Sequence, residues 1–285
     1  MFKSHHLTKL SGSLVLSTML FFSCQRAPKF ESPEGYDFGS PEKILMKEAL
    51  LEISGITFHQ GHPDTLLAIN DESGKLFYFT QADLKPHTVK FAGDGDYEDV
   101  AVYKDSIFVL RSDGSLFSLP DSLLQQKTIS SRRKKIFPKA EYESIYIDDK
   151  SGVLYVLCKQ YSKKKNKNLL LGYSLDLKDS TNTVNPLAID LNSITDKKNK
   201  KQFLPSAMAK NLLTGEWFII SSANKFFLIT DKNFKPKKIF SLDPAYFIQP
   251  EGMAFDNQNN LYISNEGNDL RNGNILKFNY QGKIE

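Results

Sequence analysis

The chain of 285 residues carries a net charge of +4 and contains 40% hydrophobic and 12% aromatic residues, an ordinary globular composition. Its length could hold two average domains, but β-rich folds of this size often form one unit. The basic residues gather mainly in three polar runs, at 132–135, 163–167 and 197–201. Such runs are usually solvated loops, so the positive charge does not indicate nucleic-acid binding, and no nucleic-acid partner is expected.

Residues 1–23 have the pattern of a bacterial lipoprotein signal peptide. A basic start precedes the apolar run 14–22, which is shorter than the roughly 20 residues that a bilayer span requires. The sequence Phe21-Phe22-Ser23-Cys24 resembles a relaxed lipobox, in which Cys24 becomes the lipidated first residue of the mature protein. The alternative is a plain signal peptide that happens to contain a cysteine.

Residues 24–42 comprise the lipidated cysteine and a proline-containing stretch, which we expect to tether the domain to the membrane. Gln25 gives no inner-membrane retention signal, so we expect the protein in the cell envelope, on the periplasmic face of the outer membrane. We also expect a monomer. The lipid is then the only membrane contact. With Cys24 lipidated, Cys158 has no disulfide partner and is predicted to be a buried strand residue.

A repeat of about 45 residues organises the predicted domain, residues 43–285, and a period of this size is typical of a propeller blade with four short strands. The repeat is marked by similar strand openings at Glu52, Glu98, Glu143, Ser206 and Glu251. The third interval is longer, which polar insertions at 162–168 and 178–185 explain. We therefore predict an all-β, five-bladed β-propeller, with six blades as the alternative.

The strands of each unit follow from runs of apolar and aromatic residues between turn signals. The first unit is predicted to contain 53–58, 65–70, 75–80 and 87–91; the second 100–103, 107–111, 115–119 and 127–130; the third 144–147, 153–159, 169–175 and 187–191; the fourth 207–210, 217–221, 226–230 and 237–242.

The fifth unit has only three predicted strands, at 253–255, 261–264 and 275–280. An incomplete last blade would leave a sheet edge exposed. The stretch 43–47, just before the first unit, is predicted to supply the missing strand and to close the ring.

Antiparallel pairing places the start of each first strand and the end of each second strand on one face of the molecule. Because the first strand of a blade is innermost, its opening residue is expected at the mouth of the central channel. Four carboxylates there would repel one another unless a cation neutralised them. The predicted metal ligands are Glu52, Glu98, Glu143 and Glu251, with Asn70, Asp71 and Glu266 as possible additional rim ligands.

The predicted metal is Ca²⁺, because calcium accepts about six to eight oxygen ligands from carboxylates, amides, carbonyls and water. The alternative is a network of salt bridges in which Arg111 and Lys159, at equivalent ends of second strands, pair with the glutamates and hold the blades together.

Several motifs resemble the SdiA-regulated family, a bacterial envelope family related to the NHL-repeat propellers. They are Leu51-Glu52-Ile53-Ser54-Gly55, Asn70-Asp71-Glu72, Gly95-Asp96-Tyr97-Glu98-Asp99, Leu204-Pro205-Ser206-Ala207 and Gln249-Pro250-Glu251-Gly252 with Ser264-Asn265-Glu266-Gly267. The resemblance implies a five-bladed propeller with a bound calcium ion. Ser144 departs from it, because the family usually has glycine there, and the insertions of the third unit could reshape one side of the rim.

The expected function is a lipid-anchored envelope module that binds calcium at the channel mouth and presents it to an unknown small-molecule or protein ligand. Binding is favoured over catalysis because the sequence is rich in carboxylates and shows no recognisable pair of nucleophile and base. The alternatives are a calcium-dependent hydrolase, similar to a lactonase or esterase, and a purely structural scaffold.

Overall fold

Five antiparallel sheets of four strands each surround a central channel and form a β-propeller. The computed structural model describes residues 30–59, 64–121, 130–160, 168–194 and 202–282. The prediction of an all-β fold with five blades is confirmed.

Four blades consist of consecutive strands, and the first strand of each is innermost. Blade 1 contains β2 (Ile53–Phe58), β3 (Thr65–Asn70), β4 (Lys75–Thr80) and β5 (His87–Lys90); blade 2 contains β6 (Tyr97–Tyr103), β7 (Ser106–Arg111), β8 (Leu116–Pro120) and β9 (Ser131–Arg133); blade 3 contains β10 (Glu141–Asp148), β11 (Val153–Gln160), β12 (Leu169–Asp176) and β13 (Val184–Asp190); blade 4 contains β14 (Ala207–Lys210), β15 (Trp217–Ser221), β16 (Phe226–Thr230) and β17 (Pro236–Ser241).

Blade 5 joins the two ends of the described chain. It contains β18 (Pro250–Phe255), β19 (Leu261–Asn265) and β20 (Asn274–Phe278), and its outermost strand is β1 (Glu42–Leu45). The register pairs Ile44 with Ile275 in antiparallel orientation. This strand is the predicted closing element, one residue from its predicted start, and it covers the edge that β20 would otherwise expose.

Short 3-10 helices at Glu48–Leu50 and Leu191–Ser193 are the other named elements of the described residues. Most of the insertion at 178–185 forms the turn between β12 and β13, and its last two residues begin β13. Residues 191–194 and 202–206 are described between β13 and β14. No helix in this part of the chain is long and apolar enough to cross a membrane. The predicted signal peptide, Cys24 and the basic runs 163–167 and 197–201 lie outside the described residues.

Side chains that alternate along each first strand pack into the two interfaces on either side of its blade. Val100 lies in the apolar cluster between blades 1 and 2, whereas its neighbour Ala101 lies in the cluster between blades 2 and 3. Five such clusters, one at each junction, form the core. Cys158 is buried between blades 2 and 3, as predicted.

A closed set of hydrogen bonds joins adjacent blades across all five junctions, at or near the starts of their first strands, and we call it the interblade ring. At the junction of blades 5 and 1 the donor, Ser264, belongs to the second strand, β19. Its contacts are Ser54 Oγ to the Glu98 carbonyl (2.8 Å), Ser144 Oγ to Asp99 Oδ2 (2.8 Å), the Met208 amide to Ser144 Oγ (2.9 Å), Ser206 Oγ to the Pro250 carbonyl (2.7 Å) and Ser264 Oγ to the Ser54 carbonyl (2.6 Å). The edges of the innermost strands have no sheet partner, so these bonds satisfy buried backbone groups there.

The folded domain begins before residue 43, although 24–42 was predicted to be a tether. Tyr36 and Phe38 are each only 4% exposed and belong to the cluster between blades 4 and 5. The ring of Phe38 contacts Phe227 and Phe278 at centroid distances of 5.1 and 4.7 Å. The second half of the predicted tether therefore packs against the propeller and strengthens the junction beside the closing blade.

We expect Phe38→Ala to lower the free energy of unfolding by about 3–5 kcal/mol, because truncating a buried aromatic ring leaves a cavity. Denaturant unfolding of the full chain measures this value. The control Tyr246→Ala removes an aromatic ring that is 39% exposed and should change stability by roughly 0.5 kcal/mol or less. Equal effects of the two substitutions would contradict the packing of the N-terminal segment.

Candidate functional site

Three glutamates occupy β-bulges at the starts of first strands. In blade 2 the register runs from Tyr97–Arg111 to Asp99–Leu110, so Glu98 is the extra residue. The same irregularity leaves Glu143 extra in blade 3 and Glu251 extra in blade 5. A bulge bends the strand and redirects a side chain, and bulges are frequent beside functional sites. The structure thus gives these three glutamates equivalent positions at the channel mouth.

Glu52 is not equivalent to the other three glutamates, and the spacing argument that aligned them is wrong by two residues. In blade 1 the bulge lies between Ile53 and Ile56, which puts Ser54 at the position of Glu98. Blade 4 has Ser206 at this position, with its amide bonded to the Ile220 carbonyl. The mouth therefore presents three glutamates and two serines from its five blades.

Two glycines mark the correct alignment, which the sequence already contained. Gly55 and Gly252 each follow the bulged residue, Ser54 or Glu251. A Cβ atom on Gly252 would lie 2.5 Å from the Ser54 carbonyl oxygen, and one on Gly55 would lie 2.5 Å from the Asp99 Cα. Neighbouring first strands approach so closely here that a side chain does not fit.

Lys159 supplies a positive charge to the glutamates. It lies near the end of β11, and its Nζ is 2.9 Å from Glu143 Oε1. Glu143 is 3% exposed, whereas the Lys159 side chain is 36% exposed. Half of the predicted salt-bridge network is therefore present. Arg111, the other predicted partner, instead places Nε 3.0 Å from Asp113 Oδ1.

The electrostatics of the mouth are dominated by burial and mutual repulsion. Burial raises the pKa of Glu251 to about 8, and the negative charge of Glu143 adds to this shift. Burial and the charge of Glu143 likewise raise the pKa of Glu98. Burial also raises the pKa of Glu143, against the opposing charge of Lys159. The three carboxyl groups lack enough positive charge to be ionised together at no cost.

Lys159 interacts with all three glutamates. Burial by itself would lower the pKa of Lys159, but the charges of Glu143, Glu251 and Glu98, with the hydrogen bond to Glu143, raise it above its ordinary value. An amine whose charge is stabilised by three carboxylates lies close to the centre of their negative potential.

A second acidic group, at the rim, contains Glu52 and two of the predicted additional ligands. Burial raises the pKa of Glu266 to about 7, and the charges of Asp71 and Glu52 contribute. Burial also raises the pKa of Asp71, whose Oδ1 is buried and has no hydrogen-bond partner among the described residues. Asn70 is less available, since its Oδ1 accepts hydrogen bonds from the amide and hydroxyl of Ser73.

The sequence of Asp94-Gly95-Asp96 favours a turn that leads into the second blade, with Asp94 or Asp96 reaching the channel as the alternative, and Asp96 does lie beside Glu98 at the mouth. A side-chain hydrogen bond and the charge of Asp96 both raise the pKa of Glu98. Its position two residues before the bulge, in Asp94-Gly95-Asp96, was the available sequence signal.

Within the described residues, no three His, Cys, Asp or Glu side chains are arranged as a metal-binding group. The donors of the mouth nevertheless suit a hard cation, because they are carboxylate oxygens in a poorly solvated, negatively charged site. The residues therefore fit calcium in chemical type. In this structure the positive charge beside Glu143 is the ammonium group of Lys159.

Solved structures similar to this one share its fold at low sequence identity. A luciferin-regenerating enzyme is 11% identical, with a TM-score of 0.53, over 85% of this chain and 96% of that one. A calcium-binding protein, regucalcin, from Agrobacterium tumefaciens is 13% identical, with a TM-score of 0.52, over 85% and 95%. These similarities show the β-propeller fold alone. No protein-family model and no curated protein match the chain, so the resemblance to the SdiA-regulated family stays a prediction.

We expect Gly252→Ala to destabilise the protein by about 1–3 kcal/mol, because the new methyl group would collide with the Ser54 carbonyl and the Ser264 hydroxyl. Gly93→Ala is the control, since a Cβ atom there meets nothing within 4 Å. Denaturant midpoints of the two variants give the comparison. A Gly252→Ala protein as stable as Gly93→Ala would show that the first strands are further apart than described.

Proposed function

We propose that this chain is a lipid-anchored cell-envelope propeller that binds calcium at the channel mouth and presents the ion to a small-molecule or protein ligand. The observation that carries the proposal is the placement of Glu98, Glu143 and Glu251 on equivalent bulges, with Lys159 in an ion pair with Glu143. The charge of Lys225 also interacts with Glu251.

The donor set favours calcium over a transition metal. The four bulged positions and the corresponding Ser206 of blade 4 carry carboxylates or hydroxyls. These hard oxygen donors suit calcium, whereas zinc and copper prefer imidazole or thiolate. The rim adds Asp71, whose buried Oδ1 has no partner among the described residues. When bound, the ion would supply positive charge to the glutamates and coordination positions for a ligand oxygen.

Lys159 and calcium are alternative counter-charges for the same carboxylates. The lysine side chain is partly exposed, so it can leave Glu143 for solvent without unfolding the blade. Calcium binding would then replace one ion pair by a cation of higher charge. The calcium-binding regucalcin supports the proposal only by sharing the fold, since its identity to this chain is 13%.

The hydrolase alternative gains no support from the hydroxyl groups of the mouth. Ser54 and Ser206 occupy the positions that lack a glutamate, and their hydroxyl groups donate hydrogen bonds to the carbonyls of Glu98 and Pro250. These hydrogen bonds hold adjacent blades together. A serine nucleophile would instead donate to a basic side chain. These hydroxyl groups therefore offer no serine nucleophile, and the alternative remains the calcium-dependent hydrolase, in which the metal would activate water.

The membrane anchor is a separate part of the proposal, and it rests on the lipobox-like sequence before Cys24. We expect Cys24→Ser to abolish incorporation of a palmitate analogue during metabolic labelling in a bacterial host, because the thiol accepts the lipid. Cys158→Ser is the matched control and should label like the original chain, since Cys158 is buried in the fold. Labelling that survives Cys24→Ser would contradict the anchor.

For calcium, we expect calorimetric titration of the detergent-solubilised full chain to show saturable binding. Glu143→Gln should weaken binding at least tenfold, because it removes a buried carboxylate donor from the mouth. Lys159→Gln should tighten binding about tenfold, because it removes the competing ammonium.

The matched control for Lys159→Gln is Lys104→Gln, which makes the same charge change at an exposed lysine in the turn between β6 and β7. Its calcium affinity should equal that of the original chain. Absence of binding heat in both the original chain and Lys159→Gln would contradict the proposed calcium site.

A further inference from the structure

The end of the channel opposite the glutamates contains a cavity of about 460 Å³. The first strands of all five blades line it, through segments 56–58, 99–105, 145–149, 208–212 and 253–255. These segments run from the interblade ring, at Asp99, to the turns at the far face, at Lys104 and Leu212. The cavity is thus separated from the acidic mouth by the interblade ring.

The backbone contributes the polar part of the wall. β2, β6, β10, β14 and β18 are each the terminal strand of their sheet, so one edge of each faces the channel without a neighbouring strand. Such an edge presents amide N–H and carbonyl groups in alternation. A buried backbone group needs a partner from the protein, from water or from a ligand. The cavity therefore offers both donors and acceptors from five directions.

The side chains contribute an apolar surface with little free charge. Ile56, Ile145, Met208 and Met253 are all buried and line the cavity. At the far rim, Lys210 Nζ is 2.6 Å from Asp148 Oδ2, so its charge is paired. Three further charged lining residues, Lys104, Asp105 and Asp149, are exposed to solvent at that rim.

The one buried charge-bearing group of the floor, among the described residues, is also satisfied. Asp99 accepts hydrogen bonds from Ser144 Oγ (2.8 Å) and the Ile145 amide (2.9 Å) at one oxygen, and from the Val100 amide (2.8 Å) at the other. The carboxyl group is therefore committed to the interblade ring by geometry, although burial raises its pKa to about 7 against these hydrogen bonds.

We propose that this cavity binds a small, uncharged and mainly apolar molecule that carries a few hydrogen-bonding groups. Its volume of about 460 Å³ lies within the usual range of ligand pockets, roughly 300–1,000 Å³, and its surface is divided about evenly between apolar and polar groups. In the buried part of the cavity a charged ligand would lose its hydration without gaining an ionic partner, because Lys104, Asp105 and Asp149 lie at the exposed rim. This site is independent of calcium binding at the mouth.

Methionine methyl groups provide a direct test. Met208 and Met253 line the cavity, whereas Met46 is buried in the cluster between blades 5 and 1, away from it. With methyl-¹³C methionine in the full chain, N-phenyl-1-naphthylamine is a suitable uncharged probe with one N–H donor. We expect saturable shifts of the Met208 and Met253 signals and an unchanged Met46 signal. Unchanged signals throughout, or equal shifts at Met46, would overturn the proposal.

Two comparisons sharpen the test. The anionic relative of the probe, 1-anilinonaphthalene-8-sulfonate, should bind at least tenfold more weakly, and equal affinity would refute a site for uncharged molecules. Thr57→Trp should weaken binding of the uncharged probe at least tenfold, because Thr57 lines the cavity and the larger side chain would fill part of it. Thr65→Trp, at a half-buried threonine of the adjacent strand β3, is the control and should bind like the original chain. Equal loss in both variants would also count against the cavity.

Discussion

The hydrogen bonds of the interblade ring determine where every functional group of the channel lies. Each contact lies at or beside a bulged residue: the Glu98 carbonyl accepts from Ser54, and the Pro250 carbonyl accepts from Ser206. These hydrogen bonds restrict the backbone at the bulges, so the glutamates of blades 2, 3 and 5 remain directed towards the axis of the channel. The ring also explains the glycines, because Gly55 and Gly252 let adjacent first strands approach within hydrogen-bonding distance.

Placing three buried glutamates close together lowers the free energy of unfolding, and favourable interactions elsewhere in the fold offset this loss. Their pKa values are raised by burial, so the domain would be more stable with neutral residues at the mouth. The ion pair of Lys159 with Glu143 offsets part of this cost. Apolar clusters at all five junctions, the closing strand β1 and the buried Phe38 provide the compensating free energy. Destabilising arrangements of this kind concentrate at functional sites.

The architecture could be predicted from the sequence because its strands are short and their turns are explicit. The predicted bounds 53–58, 65–70 and 75–80 agree with β2, β3 and β4, where Asn, Asp, Ser and Gly residues mark the turn between the last two. The site was harder to predict than the fold. A period of about 45 residues can be misaligned by two residues without visible mismatch, and this error made Glu52 seem equivalent to Glu98. Bulge register depends on backbone pairing, which spacing alone does not reveal. The cavity walls are largely backbone edges, which have no sequence signature.

The two ends of the channel differ in their electrostatics, and the change occurs between two consecutive residues of β6, Glu98 and Asp99. At the mouth, burial and the negative charge of Glu143 raise the pKa of Glu98. The two carboxyl oxygens of Asp99 instead accept three hydrogen bonds, from Val100, Ser144 and Ile145. Burial raises the pKa of Asp99 to about 7, and the three hydrogen bonds offset part of this shift. The protein itself therefore stabilises this carboxyl group without a counter-ion from the cavity. The interblade ring therefore confines the cation requirement to one end and leaves the other end suited to an uncharged molecule.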